Sequence, residues 1–166
     1  GLLFERYNRA LYNFFYRMTT ESQLSEDLVQ SVFERMLKYR NTYAGEGAFT
    51  TWMFSIARNT HIDHYRQNKR HSHNDVFDDD RIGELPPEYG VIDEQVRKKN
   101  ILELALSKLA PEKKEVVLLS RYEGLNYQEI AEIQGATESA IKVRMFRAMK
   151  ELKDIVVTLC EDQNDE

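Results

Sequence analysis

Cysteine is almost missing from this sequence: Cys160 is the only one among 166 residues. A disulfide framework within one chain is therefore excluded, and so is a cysteine-built zinc site. A reducing, cytoplasmic setting is the natural expectation. Proline (three) and glycine (seven) are scarce, and no stretch alternates Val, Ile and Thr with polar residues. That pattern disfavours sheet and favours helix. The apolar runs are far too short to cross a bilayer. A Gly-rich phosphate loop and a nucleophile triad are also lacking. His61 and His64 lie one helical turn apart, and His71 and His73 follow. No Glu stands between the first two as a metalloprotease helix requires. Neither an enzyme nor a cofactor or small-molecule substrate is expected.

What is present is helical periodicity. "LLFERYNRALYNFFYRMT" places Leu3, Tyr7, Leu11, Phe14, Phe15 and Met18 on one side. "SEDLVQSVFERMLKYR" follows, with Ser25 as its expected N-cap. Leu28, Val32, Met36 and Tyr39 form its inner stripe, widened by Val29, Phe33 and Leu37. The loop "NTYAGEGAF" precedes a third helix, "TTWMFSIARNTHIDHYRQNKR", capped by Thr50 or Thr51. Its Trp52 reads as core, while Tyr65 is balanced between core and surface.

Composition then changes. Residues 72–92 are acidic and rich in Pro and Gly, which reads as a flexible linker. Further helical patterns follow from Asp93. Pro111 suits a first helical turn, Gly124 a stop, and Asn126 with Glu129 a capping box. The expected layout is residues 1–71, a linker 72–92, residues 93–160 and an acidic tail 161–166. The fold class is all-α, with two small helical domains.

"NYQEIAEIQGATESAIKVRMFRAMKELK" carries the spacing of a helix-turn-helix. Ala131 allows a close helix crossing, Gly135 accepts positive φ in the turn, and Ile141 locks the second helix. Thr137 caps that helix, which the pattern ends near Val157. Glu138, Ser139, Lys142, Val143, Arg144 and Arg147 then face outward, where they can meet base edges and phosphates. A solvated helical hairpin would share the periodicity, but not the combined spacing, caps and basic face. The formal net charge of −5 points the other way. However, the acids crowd residues 75–88 and 161–166, whereas the bases cluster on two helices. Screening acts over about 8–10 Å, so local charge governs phosphate contact. Weak DNA binding by the free chain, and a need for a partner, are expected.

Taken in order, these segments resemble the bacterial extracytoplasmic-function (ECF) sigma factors of RNA polymerase. "SEDLVQSVFERMLKYR" resembles the family's region 2.2, and "FTTWMFSIARNTHIDHYRQNKR" its regions 2.3 and 2.4. "LAPEKKEVVLLSRYEGLNYQEIAEIQGATESAIKVRMFRAMKELK" resembles region 4. The resemblance implies a three-helix region 2 domain and a helix-turn-helix region 4 domain. It implies binding of core polymerase, through the β′ clamp helices, by Asp27, Gln30, Glu34, Arg35 and Lys38. It implies reading of the promoter −10 element by Asn59, with Asp63, Arg66 and Arg70 continuing that face. Reading of the −35 element falls to Ser139, Lys142, Arg144, Phe146 and Arg147, and the β flap meets the same domain. An anti-sigma factor, frequently membrane-anchored in the family, is a further implied partner. The sequence departs from the family where Ser139-Ala140 replaces a Gly-Thr type pair and Val143 a frequent Ser. A regulator that binds duplex DNA without polymerase is the alternative.

Overall fold

A computed structural model describes residues 1–45, 47–71 and 94–165. The expected linker, with its acidic run, lies outside the described residues. Among those described, the secondary structure is helical without strands.

Helix α1 spans Leu2–Thr19, α2 Ser22–Lys38 and α3 Phe49–His71, with a short 3-10 turn at Arg40–Thr42. Leu11, Phe14 and Phe15 of α1 are buried against Leu28, Val29, Val32 and Met36 of α2 and Met53, Phe54 and Ala57 of α3. Phe14 meets Phe54 edge-on, with ring centroids 5.4 Å apart. Such a pair contributes roughly 0.5–1.5 kcal/mol beyond its buried area. Leu3, Leu37 and Tyr39, anticipated on inner faces, are instead exposed. Leu3 lies at the start of α1, before its packed stretch. Leu37 and Tyr39 lie at the end of α2, where the chain leaves its neighbours.

Two expected caps differ. α2 begins at Ser22, so Ser25 falls inside its first turn. Ser25 is buried, and its hydroxyl donates to the Glu21 carbonyl at 2.6 Å. α3 begins at Phe49, so neither Thr50 nor Thr51 is its cap. Thr51 is buried and donates to Glu129 Oε2 at 2.8 Å, a residue far along the chain.

The second half comprises α4 (Glu94–Ser107), α5 (Pro111–Val117), α6 (Tyr127–Gln134) and α7 (Glu138–Asn164). A wider π turn, Leu118–Tyr122, continues α5. Asn126 and Glu129 form the anticipated capping box: Glu129 N–H donates to Asn126 Oδ1 at 2.8 Å, and Asn126 N–H to Glu129 Oε1 at 3.1 Å. Gly135 has φ 62°, which turns the chain between α6 and α7. Thr137 accepts from the Ala140 N–H at 3.1 Å. Ile130, Ile133, Ile141, Met145, Ala148 and Leu152 then close the core. Val96 is exposed, not part of it. α7 runs past Val157, because Ile155, Val156 and Leu159 still find apolar surface to pack on. Near its end, Gln163 accepts from Arg97 Nε at 3.0 Å.

The halves do not stand apart. Their buried side chains form one continuous cluster, and α3 packs on α6 while α1 touches α4 and α5.

Candidate nucleic-acid interface

The outer face of α3 is polar because its inner face is spent on Met53, Phe54, Ala57 and Thr60. Asn59, Arg66 and Arg70 are exposed on it. An exposed amide offers both donor and acceptor to a base edge, and free guanidiniums suit phosphate. Tyr65 is also exposed. Asp63 is different. Its Oδ2 accepts from Arg35 Nη1 of α2 at 2.9 Å. Two residues assigned to separate surfaces thus hold each other.

The loop before α3 is anchored by aromatics. Trp52, expected in the core, is only half-buried, and its indole N–H donates to Thr42 Oγ1 at 3.1 Å. Its ring lies 5.3 Å from Tyr43 and 5.6 Å from Phe49. The Tyr43 hydroxyl donates to the Gly47 carbonyl at 3.2 Å. Tyr43 was not singled out from the sequence. A lone aromatic in a loop carries no periodic signal.

On α7, Ser139, Lys142, Val143, Phe146, Arg147 and Lys150 are exposed, at spacings that share one helix face. Phe146 is 72% exposed, so it is a surface residue and not core. Lys142 Nζ lies 3.7 Å from Glu138, an exposed pair one turn apart that water weakens. Arg144 points elsewhere. Its Nη1 donates to Gln134 Oε1, and Gln134 Nε2 donates to Glu115 Oε1 at 3.0 Å. The same oxygen accepts from Arg58 Nε of α3 at 2.8 Å. Burial pushes the Glu115 carboxyl up, opposed by Arg58 and Gln134.

On α2, Asp27, Gln30, Glu34 and Lys38 are exposed along one face, with Leu37 beside them. Leu37 was assigned inward, so its place here was missed. Its neighbour Met36 takes the core position instead.

His61 is held below its usual range by burial, then by His64 and Lys114. Among the described residues no group of three His, Cys, Asp or Glu side chains is placed to hold a metal ion.

Two helix faces, an amide-bearing one on α3 and a basic one with an exposed aromatic on α7, are thus left outside the core. Residues 3–71 match the family pattern of Sigma-70 region 2, and residues 99–152 that of Sigma-70, region 4. The chain is 31% identical to the ECF RNA polymerase sigma factor SigX of Bacillus subtilis, over 99% of this chain and 87% of that one. It is likewise 31% identical to SigM of the same organism, over 91% of each. The fold resembles that of the sigma factor RpoE of Bartonella quintana, solved with the anti-sigma factor NepR. That match has a TM-score of 0.75 and 23% identity, over 93% of this chain and 94% of that one. The chain belongs to the ECF sigma factors of the sigma-70 family. It is a sigma factor of RNA polymerase, in a family of transcription initiation factors. No helix among its described residues is long and apolar enough to cross a membrane.

Proposed function

We propose that this sigma factor divides its work among three surfaces. Asp27, Gln30, Glu34 and Lys38, with Leu37, face the β′ clamp helices. Asn59 reads an unpaired −10 base while Arg66 and Arg70 hold phosphates. Ser139, Lys142, Phe146 and Arg147 meet the −35 duplex, and the same domain meets the β flap. Arg35 and Asp63 set the angle between the first two surfaces, and Arg144 joins the third only after leaving Gln134. The protein works in the cytoplasm, where polymerase is, and an anti-sigma factor is its natural restraint. Two solved proteins of similar fold, the sigma factor RpoE in complex with the anti-sigma factor NepR and CnrH in complex with the cytosolic domain of CnrY, support that last partner.

One observation carries this reading. Asn59 and the Lys142–Phe146–Arg147 face are all exposed, although each helix that bears them buries its apolar side. The test is reconstituted transcription with core polymerase. Initiation from a cognate promoter should require this protein. Asn59→Ala should lower initiation on an intact −10 element and add little on a −10 mutant. Equal losses on both promoters would remove the base-contact role. Tight duplex binding without any initiation would favour the polymerase-free regulator instead.

A further inference from the structure

Packing leaves two apolar side chains of α7 in water. Val143 is 49% exposed and Phe146 is 72% exposed. The core side of the same helix is filled by Ile141, Met145, Ala148 and Leu152, all buried. Val143 follows Ile141 by two residues, about 200° round the helix, so the period turns it away from that core. One exposed valine is ordinary on a protein surface. A valine with an exposed phenylalanine one turn further on is a paired apolar patch, since residues three apart are neighbours on a helix.

The surroundings of that pair are cationic. From Ser139 to Lys150 the sequence holds Lys142, Arg144, Arg147 and Lys150, and no carboxylate. Lys142, Arg147 and Lys150 are exposed with the pair, and so is Ser139, one turn before Val143. Protein interfaces are depleted in lysine, whereas a phosphate backbone attracts it. The charge therefore favours DNA over a protein as the occupant. Val143 also stands in the second turn of α7, which begins at Glu138. The N-terminal part of a recognition helix is the part that meets base edges.

We infer that Val143 is a specificity-determining residue, which reads the C5-methyl group of a thymine in the −35 element while Phe146 shields the contact from water. The inference rests on the proposed −35 reading by α7 and adds to it the base that this residue selects. Valine has neither donor nor acceptor, so it cannot match the hydrogen-bonding pattern of a base edge. The thymine methyl is the one apolar group among the edges that the major groove presents. Valine is also nearly fixed at χ1 in a helix, so its two methyl groups are already placed and little rotamer freedom is lost on contact. Lys142 and Arg147, on long mobile stems, serve phosphates or guanine on either side.

Initiation by holoenzyme assembled from core polymerase and the full chain tests this. The template is a promoter located by mapping transcript starts when the protein is overproduced, with its −35 element randomised. Wild-type transcripts should be enriched in thymine at one position or more, counting both strands. Deoxyuridine there, which replaces only the methyl group by hydrogen, should lower initiation about fourfold, the worth of one buried methyl. Val143→Ala should lower initiation on the thymine template by about as much, and its own loss on deoxyuridine should stay below about 1.5-fold. Alanine at an exposed helical position favours the helix, so folding is kept. Enrichment without thymine, a thymine preference indifferent to deoxyuridine, or a methyl effect that Val143→Ala leaves at full size would overturn the inference. So would weaker assembly of the Val143→Ala holoenzyme, which would make the patch a polymerase contact. No enrichment at any −35 position would instead remove the −35 reading itself, so the two failures are told apart.

Discussion

Arg35 on α2 donates to Asp63 on α3 at 2.9 Å, and this one ion pair ties the helix proposed to grip polymerase to the helix proposed to read DNA. The pair is half-exposed, 34% and 46%, so its contribution to stability is small, about 0.2–1 kcal/mol. Its value is angular. Asp63→Asn should leave the melting temperature within about 4 °C yet reduce open-complex formation more than it reduces holoenzyme assembly. Permanganate footprinting alongside a polymerase binding titration separates the two effects. Equal losses in both would mean that the pair sets no angle.

Phe146 and Ile141 make opposite predictions from one helix. Phe146 is exposed, so Phe146→Ala should leave stability within about 0.5 kcal/mol. It should nonetheless weaken initiation that depends on the −35 element. Ile141 is fully buried, and Ile141→Ala should destabilise the protein by about 2–5 kcal/mol. Urea unfolding of both variants checks the contrast. A large stability loss in Phe146→Ala would contradict its placement on the surface.

The turn between α6 and α7 depends on backbone conformation. Gly135 has φ 62°, and a Cβ there would meet no atom within 4 Å. Gly135→Ala should therefore destabilise by about 1–2 kcal/mol through conformation alone. Gly135→Asn should lose less, since Asn tolerates this region. A null effect of the alanine in thermal unfolding would sink the argument.

The Glu123 carboxyl is raised from its ordinary value to about 7 by burial, partly opposed by Arg17. Tyr122, Glu103 and Arg17 share that neighbourhood. The folded chain keeps the Glu123 proton up to about pH 7, whereas the unfolded chain releases it near 4.5. Between those values the folded state holds more protons, so this group makes stability fall as pH rises. His61, held low by burial, gives the opposite slope near its own range, so wild type alone is not diagnostic. The difference between wild type and Glu123→Gln is. The variant should gain relative stability from pH 5 to pH 7.5 in urea midpoints. A pH-independent difference would show that Glu123 titrates normally.

Much of this protein was legible in its residues, because local rules operate over a few positions. The capping box Asn126–Glu129, the Gly135 turn and the Thr137 cap all lie where spacing predicts them. Ile141 is buried and Asn59 exposed for the same reason: helical period decides which side faces in. Near helix ends that rule weakened. Leu37 and Tyr39 obey the period of α2, yet at its end they stay exposed. Ser25 and Thr51 looked like caps because a hydroxyl before an apolar run suits that role. Each had a better partner, Glu21 in the same turn and Glu129 across the molecule.

By itself, then, the sequence determined the helical fold class, the caps of α6 and α7, and the family. Tertiary structure decided which polar residues are free. Lys142, Arg144 and Arg147 look alike on one basic stretch, but only Arg144 is turned to Gln134 and, through Glu115, to Arg58. Helical spacing is a property of consecutive residues. A salt bridge between positions 58 and 115 depends on how two helices meet, and nothing local to either position encodes it.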